Sequence, residues 1–528
     1  MMSGKVKAPL EFGIVVLIFL SGLFYFCFRI LGFQLQFVPG DLGDSRFVNY
    51  LLEHGFKWVS GQTVSFWNAP FMQPFPNTLA LSDTLIGTQC FYFPWRLMGF
   101  SIETSYQFWW ICICGCNYWL SYWAFHKFFQ NKLLAGILAW AFAFNVFNLG
   151  QLNYMQMMVR FPVAPAFYAA YRLIEGPKFK YLVLYCSCIV YQFYCVPYIG
   201  FYLFYFSLFF LLVYVLIDKT KRTHLKTYVQ RNQRLKTVFV LAGSVLLLTF
   251  ILLPYYKMSQ HVGLRLYKEV VPGLPSLRSF LLAHESSYVG SLWFEYAKAG
   301  NDHWWLSYVF PGLVLLGTLI VSPVLLWRIW LKKNPGSKWM MSLLITSGVL
   351  CLLHLRIGDH LTLYGVIFKL PGINSMRVLN RFMHVELFIL LLILGYSFQS
   401  IPKKYLLFLF IALVIDSSFD SEKIIRQTKL ELQQRKGLLV ERIVQQGNFQ
   451  NKSLALVDTL QPAYLSHLDA MLASQELNMG TVNGYSSYCP DAYGDYFNTC
   501  SAVGLNHWLN SKGVSRNRVL VINRSDIK

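Results

Sequence analysis

The sequence predicts an all-α bundle that crosses a membrane many times and ends in a small α/β domain. Hydrophobic residues make up 55% of the 528 residues and charged residues only 13%, which is about half the charged share of a soluble protein. The apolar residues are gathered into about eleven runs, most of them near the length of a bilayer-spanning helix. After Ser417 these runs shorten and charged residues become frequent.

The apolar runs define the expected helices of the bundle. The first run follows Lys5 and Lys7 and lacks the small-residue cleavage site of a signal peptide, so we expect an uncleaved spanning helix. The aromatic stretch from Phe167 to Val215 is the least regular part of the pattern. Together the runs predict a transmembrane region over residues 1–416. The expected helices are roughly 11–32, 105–125, 133–149, 154–173, 181–197, 199–217, 236–255, 305–328, 339–355, 383–399 and 404–416.

Basic residues cluster in the short loops between the runs, chiefly in 218–236, 328–338 and at Lys403-Lys404. Cytoplasmic loops of membrane proteins are enriched in lysine and arginine. With an odd number of spans, the N-terminus and all of these loops therefore lie in the cytoplasm. The same count places four longer segments outside. They are 33–104, 256–304, 356–382 and the tail 417–528.

The placement of the basic residues, rather than their number, argues against a nucleic-acid partner. Lysine and arginine number 46 against 25 aspartates and glutamates, but the excess follows the loops and forms no basic surface interleaved with stacking aromatic residues. Phosphate-binding loops, dinucleotide fingerprints and kinase motifs are also missing from the sequence. We therefore expect membrane lipids as surroundings, and we do not expect an ATP-driven pump.

The tail pattern predicts a soluble α/β domain over 417–528, with a helix at about 421–446 and strands at 454–457 and 519–522. Most cysteines lie inside apolar runs, where they are typical packing residues. Only Cys489 and Cys500 lie in polar sequence, where a disulfide is one alternative.

The first outer segment opens with an acidic turn, Gly40-Asp41-Leu42-Gly43-Asp44. The glycines allow a sharp bend next to the first apolar run. Two carboxylates at a membrane boundary suit acid–base or metal chemistry on a lipid-attached substrate. The alternative is structural, with Asp44 or Ser45 capping the helix that follows.

Two arginines form a second candidate group. Arg377 and Arg381 are four residues apart and would share one face of a helix. Guanidinium pairs bind phosphate oxygens well, although arginines that only anchor a helix end are the alternative. Asp83 is a further outer carboxylate, and Arg160 lies inside an apolar run. Four polar residues of the outer loops could add ligands to a metal site, although no linear metal motif is present and a plain interface or loop role is the alternative for each. They are His284, Glu285, Asp302 and His303.

In order along the chain, these motifs resemble the polytopic glycosyltransferases of the GT-C superfamily, and most closely the bacterial YfhO-like branch. The resemblance covers nearly the whole chain as scattered short motifs. They are the acidic turn, Pro74-Phe75-Pro76 with Ser82-Asp83, Pro371 with Met376–Phe382, and Thr481-Val482-Asn483-Gly484-Tyr485.

The resemblance implies a membrane enzyme of the bacterial inner membrane that takes a sugar from a polyprenyl-phosphate carrier on the outer face. The acceptor would be a glycan, a lipid or a protein. One aspartate of the first outer loop would serve as general base, or as ligand of a divalent cation such as Mg²⁺ or Mn²⁺ in metal-dependent members. Asp41 matches that position best, and Asp44 is the second candidate. The pair Arg377 and Arg381 would bind the carrier phosphate. Asp83, Arg160 and Tyr485 are the other expected substrate contacts.

Physical reasoning adds one expectation about the tail. In Asn483-Gly484-Tyr485 we expect a turn that faces the cleft, because Gly484 can adopt a positive φ angle and Tyr485 offers an aromatic surface to a sugar ring.

Two other functions remain open from the sequence. A transporter or lipid flippase would need polar residues along a path through the membrane, and only Arg160 and Glu386 lie deep in apolar runs. The sequence also has no inverted repeat with matched helix breaks. The other alternative is a membrane protein without catalysis that assembles or regulates envelope polymers.

Overall fold

The computed structural model describes residues 3–63, 65–230, 234–301, 303–332, 337–358, 361–447, 449 and 451–526. Helices hold 71% of the residues, and the described β-structure is limited to three two-stranded sheets. The predicted mostly helical class is therefore confirmed.

In the described part of the chain, eighteen α-helices precede Ser417. A π-helical turn, Leu23–Phe28, joins the first two, so that they continue one another. In chain order the helices are α1 Ser3–Gly22, α2 Arg29–Leu31, α3 Asp44–Val59, α4 Gln89–Leu97, α5 Ile102–Phe129, α6 Lys132–Ala143, α7 Val163–Glu175, α8 Phe179–Cys195, α9 Pro197–Ile217, α10 Lys219–Gln230, α11 Arg234–Val262, α12 Tyr267–Val270, α13 Phe294–Lys298, α14 Leu313–Lys332, α15 Lys338–His354, α16 Gly365–Phe368, α17 Met383–Phe398 and α18 Lys403–Asp416.

Five described stretches are long and apolar enough to cross a membrane, or six if one bent helix pair is counted as a single span. Helices form at most of the predicted runs, but those outside these stretches are shorter or less apolar. The predicted number of about eleven spans is therefore not reached by length and composition. The five stretches are Leu10–Leu31, Pro197–Ile217, Arg234–Val262, Leu313–Leu331 and Leu379–Phe398.

The bent pair replaces the predicted helices 133–149 and 154–173. Helix α6 ends at Ala143, and the chain turns by 54° into a 3₁₀ helix, Val146–Met158. Asn145 accepts a hydrogen bond from the Phe147 amide at 2.9 Å, and the Asn148 side chain donates to the Ala143 carbonyl at 2.9 Å. These amides satisfy backbone groups that a continuous helix would pair internally. The prediction of two uninterrupted helices was wrong for this reason.

The bundle is built around α17, whose residues from Met383 to Gly395 are all buried. By contrast, α11 and α14 leave most of their apolar side chains exposed. An exposed apolar surface of this extent is typical of contact with lipid.

The tail contains four helices, α19 Lys429–Gln445, α20 Ala463–Glu476, α21 Gly494–Thr499 and α22 Ala502–Ser511. The two predicted strands form and pair in parallel, as β5 Ser453–Val457 and β6 Val519–Asn523; the earlier strands are β1 Phe37–Pro39, β2 Arg356–Ile357, β3 Leu361–Thr362 and β4 Arg426–Thr428. The predicted tail helix begins later than expected, because the residues of β4 pair with β1 and Thr428 caps α19 through a capping box with Glu431. Cys489 and Cys500 are both free thiols, so the disulfide alternative is not realised.

The tail packs directly on the first outer segment. Strands β1 and β4 pair antiparallel, with Val38 opposite Gln427. Helix α20 lies against α3, where the Gln475 side chain donates to the Tyr50 carbonyl at 3.0 Å. Buried apolar residues of the tail such as Leu468 and Trp508 belong to the same core as the bundle, while a second, smaller core around Leu439 and Leu454 lies within the tail. The tail is therefore part of the same packed body as the acidic turn.

Candidate functional site

The acidic turn connects β1 to α3. Gly40 has a φ of +96°, and a side chain there would lie 2.7 Å from Ser45 Cβ, so both conformation and space favour glycine. The Gly40 amide donates to the Ile425 carbonyl of the tail at 2.9 Å. The turn is thus held by the tail on its N-terminal side.

Asp41 folds back on its own turn. Its carboxylate accepts a hydrogen bond from the Gly43 amide at 2.9 Å, and its backbone amide donates to Asn153 Oδ1 at 3.1 Å. Ser45 does not cap α3, because its hydroxyl donates to the Pro39 carbonyl at 2.7 Å. The side chain that stabilises the start of α3 is therefore that of Asp41. The sequence predicted Asp44 or Ser45 for this capping role.

Asp44 instead belongs to a partly exposed cluster with Tyr485, Arg377 and Arg381, which we call the cleft. Its carboxylate accepts a hydrogen bond from the Tyr485 hydroxyl, with Asp41, Arg377 and Arg381 in electrostatic reach. Burial, and next the charge of Asp41, raise the pKa of Asp44 to about 6, while Tyr485 and the two arginines lower it. Part of the side chain stays accessible to solvent, as expected of a group that lines a cleft. A carboxyl that titrates near neutral pH suits proton transfer.

Asp83 is the second cleft carboxyl. Its side chain is hydrogen-bonded to Gln156, and burial raises its pKa to about 6 against the opposing charge of Arg381. The preceding residue is fixed by α11, since the Tyr255 hydroxyl donates to the Ser82 carbonyl at 2.7 Å. One edge of the site is therefore in contact with an apolar helix that is largely exposed.

Arg381 is the cation between these carboxyls. Its guanidinium lies over the rings of Tyr198 and Tyr154, at 4.6 and 5.2 Å from their centroids. The Nε atom is buried without a hydrogen-bond partner. Among the described residues no carboxylate lies within 4.0 Å of the Arg381 nitrogens. The side chain thus has unused donors in a cleft that already contains its counter-charges at longer range.

Arg377 lies at the rim of the cleft and is exposed. It reaches Asp44 electrostatically together with Arg381, but not by sharing a helical face as the spacing predicts. The backbone at Met376 and Val378 is extended, and a 3₁₀ turn begins only at Leu379.

Arg160 is not part of this cleft. It is fully buried in the bundle, where its Nη1 lies 2.9 Å from His384 Nδ1 and its Nη2 donates to the Phe142 carbonyl. Its guanidinium also lies over the Phe142 ring at 4.8 Å. These contacts give Arg160 a packing role behind the site.

The remaining polar candidates do not converge on the cleft as a ligand set. His284 Nδ1 lies 2.8 Å from the Ser286 hydroxyl, and the His303 ring lies against Trp305. Across the described part of the chain, no three side chains of the metal-ligating types are arranged to hold a metal ion. Asp302 falls outside the described residues.

The tail contributes Tyr485 to the cleft, and the two residues before it, Asn483 and Gly484, are buried. Asn483 accepts from the Leu456 amide at 2.7 Å and donates to the Leu456 carbonyl at 3.0 Å. Gly484 is not in the left-handed region, contrary to our expectation. It is required for close packing instead, since a Cβ there would lie 2.1 Å from Met72 Cγ. This approach brings Tyr485 beside Asp44.

Three residues of the site were missed from the sequence: Tyr154, Tyr198 and Gln156. Tyr154 and Gln156 lie on the 3₁₀ segment after the bend, and Tyr198 lies at the start of α9. The chain has 32 tyrosines, most of them inside apolar stretches, so no local pattern distinguishes these two. The bend after α6 makes Tyr154 a neighbour of Arg381, whereas Tyr198 is held beside it by a hydrogen bond from its hydroxyl to the Val378 carbonyl.

No protein-family model matches the chain, and no curated protein matches it at a significant level. The function is therefore inferred from the residues of the cleft.

Proposed function

We propose that this chain is a membrane glycosyltransferase of the GT-C type, which moves a sugar from a polyprenyl-phosphate carrier to an acceptor. The observation that carries the proposal is Arg381, an arginine with unused donors between two tyrosine rings and beside Asp44. A phosphate group supplies the acceptor oxygens that such a guanidinium lacks.

In the proposed reaction, Asp44 acts as general base. It removes the proton of an acceptor hydroxyl while that oxygen attacks the anomeric carbon of the sugar. The bond between the anomeric carbon and the phosphate oxygen breaks, and polyprenyl phosphate leaves. Arg381 and Arg377 stabilise the negative charge that develops on the phosphate. Asp83, held by Gln156, is available to accept hydrogen bonds from sugar hydroxyls.

The division of roles between the two acidic residues of the turn differs from the order that the resemblance implies. The Asp41 carboxylate accepts a hydrogen bond from the Gly43 amide, whereas the Asp44 carboxylate lies beside Tyr485 and within electrostatic reach of Arg377 and Arg381. We therefore assign the base to Asp44 and the shaping of the turn to Asp41.

A lipid-linked donor suits the surroundings of the cleft. Helix α11 is largely exposed and apolar, and it touches the residue next to Asp83 through Tyr255. A hydrocarbon chain lying along α11 would leave its phosphate at the cleft edge. We propose that the cleft opens on the outer face of a bacterial inner membrane, with the N-terminus in the cytoplasm.

Contacts at the opposite ends of the helices support that orientation. Lys338 lies 3.2 Å from Asp218, so two of the basic loops meet. Lys403, at the start of α18, pairs with Glu11 near the start of α1. At the other end of α1, Arg29 donates to the Phe419 carbonyl at 3.0 Å. The basic loops are thus grouped by contact away from the acidic turn, as the positive-inside rule requires.

The test uses the purified full chain in detergent or proteoliposomes with a panel of polyprenyl-phosphate-linked hexoses and N-acetylhexosamines. We expect one donor to be consumed, with release of polyprenyl phosphate, and Arg381→Gln to abolish the release. If no donor is consumed by the wild type while carrier lipid or solute crosses the proteoliposome membrane, a flippase or transporter is the correct function instead.

A further inference from the structure

Asp469 lies at the centre of a charge cluster between the tail and the first outer segment. It is fully buried on α20. Its Oδ1 accepts hydrogen bonds from Arg46 Nη2 and Arg435 Nε, both at 2.6 Å, and Arg524 Nη1 lies 3.5 Å from Oδ2. These arginines outweigh burial and keep the pKa of Asp469 below its usual value.

One of these three arginines comes from outside the tail. Arg46 is two residues after Asp44, in the first turn of α3. It is almost completely buried, and its Nη1 approaches the Leu42 carbonyl, in the middle of the acidic turn, at 3.4 Å. A single guanidinium therefore joins the buried tail carboxylate to the backbone of the turn that carries Asp44.

The tail also holds this turn at other points. The Gly40 amide bonds to the Ile425 carbonyl, and Tyr485 donates to the Asp44 carboxylate itself. The acidic turn is thus contacted from the tail at its first residue and at its last, and Arg46 links its middle to the tail. Arg435 and Arg524, in contrast, reach Asp469 from within the tail, and none of the hydrogen bonds or ion pairs of these two side chains in the described part of the chain goes to the turn.

From this geometry we propose that Asp469 is a positioning residue, which acts through Arg46 to hold the acidic turn so that Asp44 points into the cleft. The importance of the Asp44 orientation rests on the proposed function, but the orientation itself does not. Asp469 has three arginine partners, although one would balance its charge. The additional arginines provide a matched control.

The test compares Arg46→Gln with Arg435→Gln in the full chain. Each change removes one 2.6 Å hydrogen bond to the same oxygen of Asp469. Either variant leaves Asp469 with two of its three arginines. The orientation of Asp44 is followed without any donor, by the infrared carbonyl band of its protonated carboxyl, identified through its loss in Asp44→Asn. Thermal unfolding measures the cost to the fold.

We expect both variants to unfold at lower temperature, and only Arg46→Gln to move the titration midpoint of Asp44. The midpoint should fall by about half a pH unit or more, because a loosened turn exposes to water a carboxyl whose pKa is raised mainly by burial. Arg46→Lys should restore it in part, since an ammonium can reach Asp469 but lacks the fork that spans both partners. It also serves if Arg46→Gln does not fold.

Two results would overturn the proposal: an unchanged midpoint in Arg46→Gln and Arg46→Lys, or an equal shift in Arg435→Gln. Either one would reduce the cluster to a general stabiliser of the fold. Failure of the glycosyltransferase proposal would look different, since donor consumption would be absent while the infrared midpoint still depended on Arg46.

Discussion

Asp44 and Arg381 illustrate how single residues in the cleft are held away from their ordinary states. Asp44 is largely removed from water, and Arg381 has its guanidinium between two rings without a direct carboxylate partner. Both arrangements cost stability unless a ligand completes them. Substitutions of these residues should reveal both the cost in stability and the activity that depends on them.

Asp44→Asn should lower sugar transfer by about 10²-fold or more, because the amide has no basic lone pair for the acceptor proton. In the wild type, the rate should rise with pH through about 6, as Asp44 loses its proton. Initial rates between pH 5 and 8 measure both effects. Asp41→Asn should retain the pH profile, and an inactive Asp41→Asn beside an active Asp44→Asn would reverse the two roles.

The same substitution should stabilise the fold above pH 6. The folded state raises the pKa of Asp44, so the neutral carboxyl is favoured there, and this contribution is lost as the pH rises through about 6. Removing the charge should therefore raise stability by about 1–2 kcal/mol at pH 8, after allowance for partial exposure, and by little at pH 4. Denaturant unfolding at the two pH values tests this, and equal effects at both would contradict it.

Arg381→Gln should weaken binding of polyprenyl phosphate by about tenfold or more, since a charge-assisted bidentate contact is lost. Arg377→Gln should have a smaller effect because that side chain is exposed at the rim. Titration calorimetry with polyprenyl phosphate in detergent measures the affinity. Arg278→Gln is the control, as Arg278 also lies over a tyrosine ring, Tyr296 at 4.7 Å, outside the cleft. An equal loss in Arg278→Gln would refute the assignment.

At the scale of elements, the site depends on two interruptions of regular structure. The bend after α6 gives Tyr154 and Gln156 to the cleft, and the turn between β1 and α3 gives Asp41 and Asp44. Apolar periodicity predicted helices on both sides of each break, because burial sets that pattern. It could not locate the bend, which side-chain amides such as that of Asn145 stabilise locally.

Gly40→Ala tests the second interruption. A Cβ at this position would be strained by its φ of +96° and would also meet Ser45 Cβ at 2.7 Å and the Leu152 carbonyl at 3.0 Å. Gly61→Ala is the matched control, with a φ of +75° and no atom within 4 Å. We expect Gly61→Ala to cost about 1 kcal/mol from backbone strain alone, and Gly40→Ala to cost clearly more and to reduce transfer. Equal unfolding free energies for the two variants would contradict the packing argument.

At the scale of the whole molecule, the sequence was sufficient for the helical class, the strands of the tail, and the acidic and basic residues of the cleft. It was not sufficient for their roles. The choice between Asp41 and Asp44 depends on the φ and ψ angles of one turn, which neighbouring residues alone do not determine. The contact between Arg46 and Asp469 joins positions 423 residues apart, and a single sequence contains no local signal for such a pair.

The orientation of the whole chain is open to a direct test. We expect the loop 218–236 in the cytoplasm and the tail outside, because the basic loops cluster at one end and the acidic turn lies with the tail at the other. Reporter fusions after Lys236 and after the last residue measure both positions. A cytoplasmic signal from the C-terminal fusion would exclude an outward-facing cleft.

The pairing of β1 with β4 also determines when the site comes into being. Ribosomes synthesise Phe37–Pro39 early and Arg426–Thr428 very late. The strand β1 before the acidic turn therefore has no β4 to pair with until most of the chain has been made. Tyr485 and Asp469 are synthesised later still. An interrupted translation product would therefore carry Asp44, Asp83 and both cleft arginines without the element that orders them. Under the proposed function, such fragments would be inactive, and activity would begin only when synthesis is nearly finished.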